Sequence, residues 1–354
     1  MLLQNFNYYI YNNLYNNLSK KMTKKKLKIV IPGGLDINFE KYLKYNFKKQ
    51  GTLNSYNIVS VTNKPGKLRK ELLDADVFIT TRWPNKNIIA PKLKLIQIPA
   101  AGYDNIHFKS VPKGCLVSNT FEHEVPIAEY CLLTMLESEI NLNKMDSQLR
   151  KGNWSGYFSS SSFHGELYNR NVGIIGFGHI GKEITKRASA FGMNISAIVR
   201  NVKKYKSSNK IQFLSIKNIE NEIHKIDYLI VACPLNDQTK DMINLKLIKK
   251  MNKNAIIINV ARGPIINEGD LYKALKNKLI RGAVIDVWYN YPRNASTKNL
   301  YPSKYPLHKL DNIIMSPHAS AWSHQLWERR FNFICENLEN LNNNRRLKNI
   351  VSKT

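Results

Sequence analysis

Residues 172–181 read Val-Gly-Ile-Ile-Gly-Phe-Gly-His-Ile-Gly, an apolar strand running straight into Gly176-x-Gly178-x-x-Gly181, and a helix-forming stretch follows over 182–191. The order strand, glycine turn, helix commits this part of the chain to an α/β unit. Gly176 permits a tight turn, Gly178 lets backbone N–H groups approach a pyrophosphate, and Gly181 lets the helix pack close on its strand. The first helical amides then face the anion. Three glycines alone are a weak signal. Here Ile195-Ser-Ala-Ile-Val199 supplies a second strand at βαβ distance, so the segment reads as a dinucleotide cradle.

A chain of 354 residues is long enough for two domains, each with its own core. Strand and helix signals alternate along it: strands over 27–31, 57–61, 76–80, 95–98, 228–232, 255–259, 282–286 and 313–315, with helical stretches at 38–49, 66–73, 244–251, 269–276 and 322–342. Alternation of this kind predicts parallel sheets covered by helices on both faces. A long helical segment over 126–150 carries an apolar stripe of Ile127, Ala128, Cys131, Leu132, Met135 and Leu136 and is read as a bridge into the second domain. No apolar run reaches the length of a membrane span.

Lys and Arg number 54 against 26 Asp and Glu, a formal charge of +28. The basic residues are dispersed through a Lys-, Asn-, Ile- and Tyr-rich chain with no nucleic-acid recognition motif, so no specific nucleic-acid partner is expected, only low-salt adhesion to polyanions. The four cysteines are far apart and form no CxxC pair, which suits a reducing compartment and gives no metal site. Cys131 and Cys233, in apolar stretches, read as core residues. Residues 1–25 are Asn/Tyr-rich and read as a disordered tail. The expected location is the cytoplasm, with organelle targeting by the extension left open.

Asn259-Val-Ala-Arg262-Gly263, Asp286-Val287 and Ser316-Pro-His318 each close a predicted strand, where open α/β sheets place their ligands. Together with Gly165-Glu-Leu167, Ala101-Gly-Tyr-Asp104, Asn119-Thr120 before Ile127-Ala-Glu129, and Pro234-Leu235 with Thr239, they resemble the D-isomer-specific 2-hydroxyacid dehydrogenases over about residues 27–337. The resemblance implies two Rossmann-like or flavodoxin-like domains with parallel sheets and an active site in the cleft between them. The substrate-binding domain would comprise 26–118 plus 320–354 and the dinucleotide-binding domain 119–319. It also implies NAD(P)H-dependent interconversion of a 2-oxo acid and a D-2-hydroxy acid, glyoxylate- or hydroxypyruvate-like, and a homodimer with 126–150 as a candidate contact.

Carried over residue by residue, Arg262 matches the arginine that grips the substrate carboxylate and polarises its carbonyl, for which a planar guanidinium with paired donors is suited. His318 matches the acid/base, an imidazole that can give or take a proton near neutrality. Ala101 and Gly102, with Ala100, match the loop whose amides receive the carboxylate, and Arg82 and Trp83 are candidates for the same pocket. The cofactor contacts implied are Gly176, Gly178, His179, Ile180, Gly181, Arg200, Asn201, Pro234, Thr239, Ala261 and Asp286, the last on the nicotinamide amide.

Two departures stand out. The family's glutamate, 29 residues after the arginine, is Tyr291 here, followed by Pro292 as the pattern expects. Without that carboxylate the imidazolium loses Coulombic support and its pKa falls relative to relatives that have it. Tyr291 is thus a candidate to orient His318 through its hydroxyl. The second strand ends in Arg200-Asn201 with Lys203 and Lys204 behind, where NAD-specific relatives carry Asp. No carboxylate repels a 2′-phosphate, so NADP(H) is the preferred cofactor expected, with NAD(H) also usable. Alternatives from the lost glutamate and the basic surface are a weakened catalyst or a dinucleotide-sensing co-regulator.

Overall fold

The computed structural model describes residues 26–33, 39–61, 65–86, 88–158, 163–208, 211–292 and 297–353. The tail expected over 1–25 lies outside them. In chain order the elements are β1 (Leu27–Pro32), α1 (Phe39–Lys49), β2 (Tyr56–Val61), α2 (Pro65–Leu72), β3 (Val77–Ile79), β4 (Leu95–Gln97), β5 (Leu116–Ser118), α3 (Glu124–Ile140) and α4 (Leu142–Leu149). Then come β6 (Asn171–Ile175), α5 (His179–Ala190), β7 (Asn194–Val199), β8 (Ile211–Ser215), α6 (Ile219–Glu222), β9 (Tyr228–Val231), α7 (Leu245–Ile248), β10 (Ile256–Asn259), α8 (Glu268–Lys276), β11 (Gly282–Ile285), β12 (Ile313–Met315), α9 (His324–Asn342) and β13 (Ile350–Lys353).

The chain divides into two compact units, one of residues 1–121 and 327–354 and the other of 122–326. The first holds a six-stranded sheet in the order β13-β5-β4-β3-β1-β2, parallel except that β13 runs antiparallel to β5. Its core lies on both faces. Phe39, Leu43 and Phe47 of α1 and Phe331, Ile334 and Leu338 of α9 cover one, while Leu72, Trp83, Ile98 and Val111 pack with Val30, Phe78 and Ile96 on the other.

The second unit holds a seven-stranded, wholly parallel sheet in the order β12-β11-β10-β9-β6-β7-β8. Strands β9, β10 and β11 are buried at every position, which is why they read as unbroken apolar runs rather than alternating ones. The strand order reverses beside β6, so the glycine turn after β6 opens at the switch point where ligands bind such sheets.

The segment expected as one helix over 126–150 is two. Asn141 adopts a left-handed conformation (φ 55°) that ends α3 and starts α4, and Asn is among the few side chains that tolerate it. Ile127, Cys131, Leu132 and Met135 of α3 share one core with Ile184 and Ala188 of α5 and with Val172 and Ile174 of β6. That core fixes the helix carrying the glycine loop against its strand. Among the described residues, no helix is long and apolar enough to cross a membrane.

Candidate active site

The glycine turn is built as its spacing requires. Gly176 has φ +101°, and a Cβ there would lie 2.6 Å from the Ala232 carbonyl oxygen. A Cβ on Gly181 would lie 2.1 Å from the Gly176 oxygen, so only glycine lets α5 approach so closely. Around Gly178, by contrast, nothing lies within 4 Å of such a Cβ. The turn is therefore tight where protein meets protein and open where a pyrophosphate would approach the first amides of α5. The residues fit a dinucleotide. His179 begins α5, and Ile180 packs half-buried against the core below.

Arg200 follows β7 and is exposed, and the Asn201 side chain accepts a hydrogen bond from the Lys203 amide (3.1 Å). Beside them Tyr205 stacks on Phe213 (4.7 Å, 8°) with Phe177 edge-on to both, an aromatic wall between the glycine turn and β8. After β9, the Thr239 hydroxyl donates to the Pro234 carbonyl (2.8 Å) and accepts from the Asn236 amide (2.8 Å), so it shapes that loop. Cys233, half-buried rather than in the core, has its thiol pushed up to about 11 by burial, with the Arg200 charge opposing.

The chemistry-bearing residues lie at three adjacent strand ends. β10, β11 and β12 are hydrogen-bonded neighbours, and Arg262, Asp286 to Tyr291, and Ser316 to Ser320 follow their respective C-terminal ends. Asn259 braces the first turn, accepting from the Ala261 amide (3.1 Å) and donating to the Arg262 carbonyl (3.0 Å). Gly263 lets that turn close on the next, since a Cβ there would sit 2.4 Å from the Trp288 carbonyl oxygen. Arg262 donates from Nη1 to the Ala261 carbonyl (2.8 Å).

Asp286 is wholly buried. Its Oδ1 accepts from the Ser316 hydroxyl (2.5 Å) and the Ala319 amide (2.8 Å), and its Oδ2 accepts from the Ser320 amide (3.1 Å) and hydroxyl (2.5 Å). Four donors fill the acceptor capacity of a carboxylate. Its carboxylate is thereby engaged by the loop that carries His318. The same loop is held by the Tyr130 hydroxyl on Ser316 Oγ (2.8 Å) and by the Trp288 indole on the Ser316 carbonyl (2.7 Å). His318 itself has φ +59°, a left-handed conformation that a non-glycine residue keeps only where its surroundings enforce it.

Tyr291 lies against His318, ring centroids 5.5 Å apart and planes at 51°. Its hydroxyl oxygen accepts from the Trp288 amide (2.9 Å). His318 is exposed, yet the packing around its ring lowers its pKa; Asp286 opposes and the Arg262 charge lowers it further. Burial raises the Tyr291 phenol, which stays neutral. The imidazole is thus held as a proton carrier that prefers its neutral form.

In the first unit, the carbonyls of Ala100 and Ala101 are tied by the Thr120 amide (3.1 Å) and the Asn119 side chain (2.7 Å), and Gly102 beside them is half-buried. Arg82 is exposed, its amide donating to Thr80 Oγ1 (3.1 Å). Trp83 is a core residue. It has no exposed surface, its indole donates to the Ser110 carbonyl (2.9 Å), and its ring meets Phe78 edge-on. Sequence reading overlooked Tyr130 and Ser320. Tyr130 is 186 residues from its partner, a separation that leaves no local signal.

The profile of the D-isomer specific 2-hydroxyacid dehydrogenase NAD binding domain matches residues 132–320. The chain is 30% identical over 272 residues to a glyoxylate reductase of Korarchaeum cryptofilum, covering 75% of each chain. It belongs to the D-isomer-specific 2-hydroxyacid dehydrogenases. It is also 31% identical over 293 residues to a D-3-phosphoglycerate dehydrogenase of Methanocaldococcus jannaschii, 81% of this chain but 53% of that one, so it spans about half that relative's length. The fold is shared with the NAD-complexed D-isomer specific 2-hydroxyacid dehydrogenase of Lactobacillus delbrueckii ssp. bulgaricus (TM-score 0.75, 22% identity, 92% and 100% covered). This member of the family is therefore a nicotinamide-dinucleotide oxidoreductase.

Proposed function

We propose that this dehydrogenase reduces a small 2-oxo acid, glyoxylate- or hydroxypyruvate-like, to its D-2-hydroxy acid, with NADPH preferred over NADH. The observation that carries this is the meeting of Arg262, Tyr291 and His318 at three neighbouring strand ends of the unit that bears the glycine cradle. Bound there, the nicotinamide supplies a hydride to the carbonyl carbon. Arg262 binds the carboxylate and stabilises negative charge growing on the carbonyl oxygen. His318 gives that oxygen its proton. Ala101, Gly102 and Arg82 are assigned to the substrate carboxylate, and Trp83 to the packing beneath them. Oxidation of NADPH with a panel of 2-oxo acids tests the reading; no turnover with any acid rejects it.

Because His318 is held toward its neutral form, reduction should fade as pH rises past a value below the ordinary imidazole range. Tyr291→Glu places a carboxylate beside the ring and should move that limb of the kcat/KM profile to higher pH. An unmoved limb would mean that residue 291 does not govern the proton.

The NADP preference rests on Arg200 and Asn201, with Lys203 and Lys204 behind them and no carboxylate at the end of β7. Arg200→Asp should lower the NADP/NAD ratio of kcat/KM by about 10²-fold, the loss of a charge-assisted contact plus a new repulsion. An unchanged ratio removes the argument.

We also propose a homodimer through α3, α4 and the loop after them. Leu133, Leu142, Leu149, Trp154, Phe158 and Phe163 are each at least half exposed there, an apolar surface that a second copy would cover. The mass of the protein in solution tests this. The free cysteines accord with a cytoplasmic setting.

A further inference from the structure

Between Glu183 and Glu220 the sequence has no carboxylate, and the middle of that stretch is Arg200-Asn-Val-Lys203-Lys204-Tyr205-Lys206. Four cations on seven residues repel one another, which by itself favours a loose, extended loop. In the structure the loop is folded. The Asn201 side chain caps a 3-10 turn over Val202–Lys204 by accepting from the Lys203 amide, and the Tyr205 amide closes that turn on the Val202 carbonyl (3.0 Å). Farther on, the Ser207 hydroxyl accepts from the Phe213 amide (3.1 Å), and Ser208 and Ile211 exchange backbone hydrogen bonds (2.9 and 3.3 Å), which leads the chain into β8.

Tyr205 is the half-buried member of a group whose cations, Arg200, Lys203, Lys204 and Lys206, are all exposed. Its ring stacks on Phe213, and Phe177 meets the two rings edge-on, at 5.7 and 5.0 Å with planes at 90° and 89°. These are the separations and angles that aromatic pairs favour. Phe213 stands on β8 opposite Ala197 of β7, and Phe177 is the residue between Gly176 and Gly178. One side chain of the basic loop is thereby keyed to both of its neighbours, the sheet edge and the glycine turn. The contact is made by ring faces and edges, which a phenyl group can make as well.

We infer that Tyr205, through Phe213 and Phe177, keeps the basic loop ordered and is thereby a positioning residue for the 2′-phosphate of NADPH. This rests on the NADPH preference proposed above. Long cationic side chains on a mobile backbone must be ordered as they close on a phosphate, and that ordering subtracts from affinity; a loop fixed by packing has already lost the freedom. The gain goes only to a ligand that offers the loop's cations a phosphate. A coenzyme with a bare ribose hydroxyl in that place gains nothing from it.

Calorimetric titration of the full chain with NADPH and with NADH, for wild type, Tyr205→Ala, Phe213→Ala and Tyr205→Phe, tests the inference. Wild type should bind NADPH the more tightly. Tyr205→Ala and Phe213→Ala should each weaken NADPH by about tenfold while NADH stays within about twofold, and Tyr205→Phe should match wild type because the ring makes the contacts. Any loss of stability weakens both coenzymes alike, so the ratio of their Kd values reads the loop alone. An unchanged ratio in Tyr205→Ala overturns the inference and leaves the NADPH preference standing, whether nothing is lost or both coenzymes lose equally, as they would if the ring served adenine. A Tyr205→Phe ratio that falls with that of Tyr205→Ala also overturns it. A wild type that binds NADH as tightly as NADPH removes the preference itself.

Discussion

Arg262→Ala should lower kcat/KM for 2-oxo acid reduction by about 10³-fold while leaving the binding of dinucleotide nearly unchanged. The guanidinium is assigned two tasks on one substrate, a carboxylate contact present from the start and a stabilising contact that strengthens as charge builds on the carbonyl oxygen. Its loss should therefore appear in both KM and kcat. Lysine should restore little, because an ammonium lacks the paired donors that match a planar anion. The turn itself should survive the change, since Asn259 and the Gly263 approach to Trp288 shape it without the arginine side chain. A variant within threefold of wild type would remove Arg262 from the reaction.

Asp286→Ala should reduce kcat by about 10²-fold without any change in the residues proposed to meet the substrate. Four hydrogen bonds converge on that carboxylate from residues 316, 319 and 320, and between them stands His318 in its left-handed conformation. Without the acceptor, two serine hydroxyls and two amides lose their partner and the loop can relax to ordinary backbone angles. A loss of roughly 3 kcal/mol in stability should accompany the fall in rate. A purely structural role would stop there. Asp286 also supports the charged form of the imidazole, so its removal should shift the pH limb of reduction further toward acid. Asp286→Asn, which retains one acceptor and the shape, should restore much of the stability but not the pH limb.

What could be read from the residues, and what could not, divides along a physical line. The β6 strand, its glycine turn and α5 were legible because an apolar run, three spaced glycines and a helix-forming stretch follow one another without a break over 171–190. Buried parallel strands such as β9 and β10 were legible as apolar runs. Arg262, Asp286 and His318 could be placed at strand ends because a strand ending is a local event. The Asp286 latch was not legible, since it depends on which strands are neighbours. Trp83 was placed beside a pocket because an indole after a strand reads the same whether it faces solvent or core; the Ser110 carbonyl that satisfies it is 27 residues away. β8 and β13 went unread because a short edge strand carries little apolar signal. The break at Asn141 hides in a sequence whose helical periodicity continues past it.

The first unit takes its strands β1 to β5 from before residue 122, yet α9 from residue 327 onward and β13 come from after residue 326. During synthesis, the contiguous unit of residues 122–326 leaves the ribosome whole while its neighbour still lacks a helix from its core and an edge of its sheet. The 122–326 unit can thus be folded before the other unit has all its parts, and nascent β5 waits with an open edge until residues 350–353 arrive.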